Sequence, residues 1–305
     1  MRLSYASLIK KYSTKLKPVP AIREDANSAS EIPFSISRAG TREKNIKAIL
    51  FDLYGTLFIS EAGDIATCFE KKDSSFFYKT FKICGIKEFD NNNDISKFII
   101  FFYNTILYKH KIARENGNLT PEIDIRDIWQ ETLSNFGITR NSCEIEKIAV
   151  IHESIVNKTW PMPRLKNILD FISKKGIPMG IISNAQFYSE HLFKAHLKKS
   201  PFELGFLKSL CYYSYNKKVA KPGKAMFEEA LSEIKKEKNI ISEEILYVGN
   251  DMLNDIKPAT LLGMKTCLFA GDKRSLRLRT EHKEIKNIKP DYVITKLCML
   301  KEILS

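Results

Sequence analysis

One stretch constrains this chain more than any other: Ala48-Ile49-Leu50-Phe51-Asp52-Leu53-Tyr54-Gly55-Thr56, an apolar run that stops at an acid and then turns. A short continuous apolar run beside turn residues reads as a strand buried on both faces, as in parallel sheets. In open α/β sheets, ligands bind in the crevice beyond the carboxyl ends of the strands. Asp52 therefore stands where a carboxylate can act as nucleophile or metal ligand. The plainer reading is an aspartate that caps the turn after it.

After residue 160 the pattern alternates between helix and strand. A helix over Pro163–Lys175 ends at Gly176, and the strand at 177–182 ends in Ser183-Asn184. A helix at 188–198 and a short strand at Leu210–Tyr213 follow, then an amphipathic helix with Met226, Phe227, Ala230, Leu231 and Ile234 on one face. Ile245–Val248 reads as a strand running into Gly249-Asn250-Asp251, with a helix through Ala259–Leu262 and strands at Thr266–Phe269 and Tyr292–Ile294. This alternation predicts an α/β fold with a Rossmann-like parallel sheet and right-handed crossovers.

Residues 61–160 read as helical throughout, with apolar residues at helical spacing in Phe76-Phe77-x-x-x-Phe81 and Ile95-x-x-Phe98-Ile99-x-x-Phe102. Thr120-Pro121-Glu122 has the form of a helix start, Gly137 that of its end, and Cys143–Lys158 forms a further helix. The expected organisation is a core of residues 45–60 and 161–305, an inserted all-helical cap at 61–160, and a basic N-terminal extension at 1–44. The extension is expected to be poorly structured or packed on the core; an organelle-type leader is the alternative.

The formal charge of +13 favours anionic partners. No zinc-finger, helix-turn-helix or RNA-binding signature accompanies it, so specific nucleic-acid binding is not expected. Six widely spaced cysteines without a CxxC pair suit reduced packing thiols and a cytoplasmic location. No apolar run approaches the ~18 residues needed to span a bilayer, so no membrane partner is expected. The five histidines show no metal-ligand spacing, and Lys273-Arg274-Ser275-Leu276-Arg277-Leu278-Arg279 reads as a solvated basic face, with binding of anions or a partner as the alternative. Oligomeric state is left open.

Four polar signatures fall at strand ends or between them: Asp52-Leu53-Tyr54-Gly55-Thr56, Ser183-Asn184, Lys221-Pro222, and Gly249-Asn250-Asp251 through Asp255. Their order resembles that of the haloacid dehalogenase superfamily of hydrolases, and the helical insertion after the first signature resembles that family's cap. The resemblance implies that Asp52 forms a covalent aspartyl intermediate. Thr56 and Ser183 would then hydrogen-bond the transferred group, Lys221 would stabilise its developing charge, and Asn184 beside Ser183 belongs to the same catalytic set. It also implies a magnesium ion held by Asp52, the main-chain carbonyl of Tyr54, Asn250 and Asp255.

Two residues depart from the pattern of the superfamily's phosphatases. Tyr54 stands where they have a second aspartate that protonates the leaving alcohol, and Asn250 stands where an acid follows the glycine, unless the register slips by one and Asp251 serves. Tyr54 instead resembles the 2-haloacid dehalogenase branch, in which halide leaves without a proton and no metal is required. That branch also uses a cap arginine about thirty residues after the nucleophile, and no arginine occurs here between Arg42 and Arg114. The expected substrate is a small anion, a phosphomonoester ahead of a 2-haloacid. A non-catalytic binding protein that keeps the site is the alternative of a different class.

Overall fold

The computed structural model describes residues 4–21, 45–62, 74–89 and 92–305. In chain order the strands are β1 (Ala48–Phe51), β2 (Phe58–Ser60), β3 (Thr159–Pro161), β4 (Met179–Ser183), β5 (Phe206–Tyr213), β6 (Ile245–Gly249), β7 (Lys265–Phe269) and β8 (Tyr292–Ile294). The helices are α1 (Tyr5–Tyr12), α2 (Ser74–Cys84), α3 (Asn92–Glu115), α4 (Ile125–Asn135), α5 (Ser142–Val156), α6 (Leu165–Lys174), α7 (His191–Leu197), α8 (Ser214–Lys217), α9 (Ala225–Lys238), α10 (Lys257–Leu261) and α11 (Leu300–Ile303).

β1 is fully buried at every position and pairs in parallel with β4 on one side and β6 on the other. The six-stranded sheet runs β5-β4-β1-β6-β7-β8, all parallel. The order reverses around β1, so the crevice at its carboxyl end lies between connections that leave in opposite directions. This is the expected α/β core. Among the described residues no helix is long and apolar enough to cross a membrane.

β2 and β3 form an antiparallel ribbon at the two stems of the insertion, pairing Phe58 with Pro161 and Ser60 with Thr159. Helices α2 to α5 between them make the cap. Their apolar faces meet in a cluster of their own, with Phe77, Phe81, Phe98, Phe102 and Trp129 all nearly inaccessible to solvent. Each such side chain contributes about 1.5–3 kcal/mol by leaving water. The aromatic rows are packing, as their helical spacing implies.

Three local expectations are corrected. Thr120-Pro121-Glu122 does not start a helix: Pro121 bridges to Val219, and α4 begins at Ile125 behind Asp124, whose side chain accepts from the Arg126 N–H. Glu122 is drawn away by the Ser214 hydroxyl, 2.7 Å from its Oε2. Thr159 and Trp160 lie in β3, so the stretch to residue 160 is not free of strand. β5 starts at Phe206, four residues earlier than expected.

The basic N-terminal stretch contributes α1, which buries Ala6, Leu8 and Ile9. The Tyr5 ring lies 6.0 Å from Phe187 and 5.3 Å from His191, and its hydroxyl is hydrogen-bonded to Glu146 of α5. The chain then reaches the far side of the core, where the Val19 N–H donates to Asp272 Oδ1 at 3.2 Å and its carbonyl accepts from Lys273 N–H at 2.7 Å. Residues 1–3 and 22–44, and Cys68 among the cysteines, lie outside the described residues. The other five cysteines are unpaired thiols.

Candidate active site

The carboxyl end of β1 delivers Asp52, whose N–H donates to the Val248 carbonyl of β6 at 2.9 Å. The chain turns at once because Gly55 takes a positive φ of 81° and donates its N–H to the Phe58 carbonyl at 2.7 Å. A β-carbon on Gly55 would lie 2.5 Å from that of Ser275, so only glycine fits both the backbone and the space. Gly249, at the end of β6, is needed for a different reason. A β-carbon there would fall 2.4 Å from the Asp255 carboxyl carbon, so the missing side chain makes room for that carboxylate.

Lys221 stands between the two acids. Its Nζ lies 2.6 Å from Asp52 Oδ1 and 2.5 Å from Asp255 Oδ1. It also donates to the Ile182 carbonyl at 3.1 Å and to the Tyr247 hydroxyl at 3.2 Å. Burial alone would depress the lysine, but the two carboxylates outweigh it and hold the ammonium above the ordinary lysine value. Ser183 donates to Asp52 Oδ1 at 3.0 Å. Asn184 clamps the lysine through its backbone, accepting from Lys221 N–H at 2.7 Å and donating to its carbonyl at 3.1 Å. Asp52, Ser183, Asn184, Lys221 and Asp255 are thus brought together.

Asp255 is fully engaged. Its Oδ1 takes Lys221 and the Tyr247 hydroxyl, and its Oδ2 accepts the N–H groups of Asn250 and Asp251 at 3.0 and 2.9 Å. It projects from a single π-helical turn, Met252–Ile256, capped by the Asp251 side chain. Burial lifts its carboxyl above the usual range, against the opposing pull of Lys221. Asn250 is turned aside, accepting from Thr56 Oγ1 at 2.9 Å and donating to the Ser275 carbonyl at 2.6 Å. Asp251 pairs with Arg279, 2.7 Å from Nη2 to Oδ2.

The expected magnesium set does not fit this arrangement. Asn250 and Asp255 are spent on protein donors, which leaves one carboxylate and one carbonyl of the four ligands. Among the described residues no group of three or more His, Cys, Asp or Glu is placed to hold a metal. Thr56 is fully buried, hydrogen-bonded to Asn250, and is not among the residues lining the cavity over Asp52. Its hydroxyl holds the Asn250 amide in place.

That cavity measures about 450 Å³. Its floor is Asp52, Ser183, Asn184 and Lys221, and its roof is the cap surface of Phe102, Tyr103, Ile106, Trp129 and Val156. Tyr54 reaches into it with the hydroxyl 2.9 Å from Ser189 Oγ, and burial pushes the phenol above its usual range. It does not release a proton near neutrality. Glu153 of α5 also lines the cavity, with Tyr188 donating to Oε2 at 3.1 Å and Asn157 to Oε1 at 3.0 Å. Burial raises its carboxyl above the usual range despite those donors.

Sequence patterns did not point to Tyr247 or Glu153, and they offered anion binding for the stretch of Ser275, Arg277 and Arg279 only as the alternative reading. A lone phenol inside the apolar run Ile245–Val248 is a usable signal, since a buried tyrosine hydroxyl needs a partner. The basic stretch is corrected from a solvated face to a wall of the site. Asp251 bridges to Arg277, and both Arg277 and Arg279 line the cavity.

The family model of haloacid dehalogenase-like hydrolases matches residues 46–263, well over half the chain. The chain belongs to the haloacid dehalogenase-like hydrolases. No curated protein matches it in sequence. A 2-haloacid dehalogenase from Pseudomonas syringae pv. Tomato DC3000 is 18% identical, covering 85% of this chain and 98% of its own, with a TM-score of 0.52. A HAD phosphatase from Thermococcus onnurineus is 18% identical over 85% and 98% of the two chains, with a TM-score of 0.48. L-2-haloacid dehalogenase from Xanthobacter autotrophicus is 17% identical over 84% and 96%, with a TM-score of 0.46. At these identities the likeness is one of fold. The family match identifies a hydrolase, and the substrate is a question for the cavity.

Proposed function

We propose that this hydrolase displaces a leaving group from the carbon next to a carboxylate, as in 2-haloacid hydrolysis, through Asp52 and without a metal. The observation that carries the reading is the donor set around Asp255 and Asn250, which leaves no acidic pair for magnesium. Tyr54 points the same way: a halide leaves without a proton, whereas an alcohol leaving from a phosphomonoester needs an acid that this phenol does not supply. Both observations favour a 2-haloacid over the phosphomonoester expected from the sequence.

In the first step an Asp52 oxygen attacks the carbon, and the carbon–halogen bond breaks with its electron pair on the halide. Lys221 and Ser183 hold the carboxylate in line while the ester forms. Water then adds to the ester carbonyl carbon of Asp52, and the acyl carbon–oxygen bond breaks to release a 2-hydroxy acid. Glu153, a carboxylate whose proton affinity is raised by burial, takes one water proton and passes it to the departing alkoxide, and the other proton goes to solvent. The apolar roof suits a carbon chain longer than that of the smallest haloacids.

The test is chloride release from 2-chloropropionate and 2-chlorohexanoate, with and without EDTA, beside a phosphomonoester panel with magnesium. Chelator-insensitive release that is absent in Asp52→Asn supports the reading. Magnesium-dependent phosphate release, or no turnover of either class by folded protein, overturns it.

A further inference from the structure

The cap approaches α4 through residues 118–125, and this stretch is stitched to two core loops that carry the site. Ala220 N–H donates to the Thr120 carbonyl at 2.7 Å and Glu122 N–H to the Lys218 carbonyl at 3.1 Å, beside the bridge between Pro121 and Val219. Thr120 also lies close over Gly223, where a β-carbon would fall 2.3 Å from its Oγ1. Lys221 is thus held from the cap on both sides. On the second loop, Gln186 donates to the Ile123 carbonyl at 2.8 Å and accepts Ile125 N–H at 3.0 Å. Ser214 is fully buried between cap and loop: its hydroxyl donates to Glu122 Oε2 at 2.7 Å and accepts Ala185 N–H at 2.9 Å. The other oxygen of Glu122 accepts Ile123 N–H at 2.9 Å. Burial raises the Glu122 carboxyl, and these two donors pull against that rise.

We infer that Glu122 is a positioning residue of the cap, which sets the Asn184 clamp on Lys221 through the Ser214 hydroxyl. A hydroxyl has one proton to give. While Glu122 takes it, a lone pair of Ser214 is left for Ala185 N–H, and the neighbouring Asn184 stays where its side chain grips the Lys221 backbone at both ends. Without that acceptor the hydroxyl can turn to the Ala185 carbonyl, 3.4 Å away, and the hold on the N–H is weakened. Glutamine has the shape of glutamate but one acceptor oxygen for the two donors that Glu122 satisfies. Asp52 and Lys221 come from the core, and a cap residue completes their arrangement. That Lys221 serves a reaction rests on the reading proposed above; the link from Glu122 to Lys221 rests on these hydrogen bonds.

The experiment measures kcat and KM for chloride release from 2-chlorohexanoate by the full chain. Glu122→Gln and Ser214→Ala are each expected to lower kcat about tenfold and to leave KM within about twofold, because a clamp that drifts misplaces Lys221 rather than the substrate. The double variant is expected to be no slower than the slower single, since both cut one link. Ser214→Ala also keeps the test alive should Glu122→Gln not fold. Asp124→Asn, two residues on but outside the link, is expected to lower the urea midpoint and keep kcat; an equal loss of kcat there overturns the assignment. Glu122 also lines the cavity, so a raised KM at unchanged kcat would make it a substrate contact and overturn the inference. Single losses that multiply in the double overturn it too. Urea unfolding supplies a readout that needs no turnover: Glu122→Gln is expected to reduce the folding constant at least about threefold less in Lys221→Met than in wild type. Equal reductions overturn the link. A smaller reduction in Lys221→Met, with a wild type that releases no chloride, upholds the link and overturns only the haloacid reaction.

Discussion

Lys221 Nζ lies 2.6 Å from Asp52 Oδ1, so the proposed nucleophile is already paired with a buried ammonium. The same nitrogen serves Asp255, and its loss would leave two carboxylates in a dry site without a counter-charge. Lys221→Met is expected to cost about 3–5 kcal/mol of stability, read as a lower urea midpoint, and to remove chloride release. A variant as stable as wild type would show that the ammonium is not the counter-charge to this pair.

Asn250 is an amide because both of its ends are used. It accepts from Thr56 and donates to the Ser275 carbonyl, and a carboxylate cannot make the second bond. Asn250→Asp is therefore expected to lose about 1–3 kcal/mol of stability and to gain no magnesium dependence. Thermal denaturation with and without magnesium checks both.

Glu153 is assigned to the second half-reaction, so its loss should leave the first half intact. Glu153→Gln is expected to give a chloride burst of about one equivalent per protein, followed by turnover slowed about 10²-fold or more. Intact-mass measurement should find the acid esterified to the protein in the variant alone. Slowing without a burst would place Glu153 outside ester hydrolysis.

The apolar roof predicts a preference for longer chains. Each added methylene that enters it contributes up to about 0.8 kcal/mol, or roughly fourfold in kcat/KM. A series from 2-chloropropionate to 2-chlorohexanoate should therefore climb, and Trp129→Ala should flatten the climb. A flat series in wild type would mean the chain points away from the cap.

His152 is buried beside Phe77, hydrogen-bonded to the Thr80 hydroxyl at 3.0 Å, and burial lowers it to about 3. Its unfolded value is about 6.5, so below that pH the unfolded chain takes up a proton that the folded chain refuses. Its contribution is complete above pH 6.5 and is lost as pH falls toward 3, amounting to about 2–3 kcal/mol by pH 4.5. His196, lowered to about 4 by burial, acts in the same direction. Urea unfolding at pH 8, 6 and 4.5 should show this decline, with a shallower slope in His152→Gln.

Legibility followed the range of the interaction. β1, β6 and β8 were plain because a strand buried on both faces must be apolar at every position, and Asp52 was plain because it breaks such a run. β2 and β3 were hidden: each is three residues long, and Ser60 pairs with Thr159 across the whole cap. Thr120-Pro121 carried a sound local helix signal that lost to the bridge with Val219 and to Ser214's claim on Glu122. Arg277 and Arg279 looked like surface charge because their partners, Asn250 and Asp251, lie in another motif. No local pattern encodes that the lone pairs of Asp255 are already taken, so that feature is visible only in three dimensions.

The segment of residues 4–21 lies ahead of the family's matched span, yet it touches everything that would have to move. α1 rests on α5 of the cap and α7 of the core through Tyr5, and Lys17 and Val19 grip the loop that carries Arg277. Hinging the lid away from the sheet means peeling α1 from one of its two seats. Residues 4–21 therefore tie the cap helix α5, the core helix α7 and the loop after β7 together by contacts of one short segment.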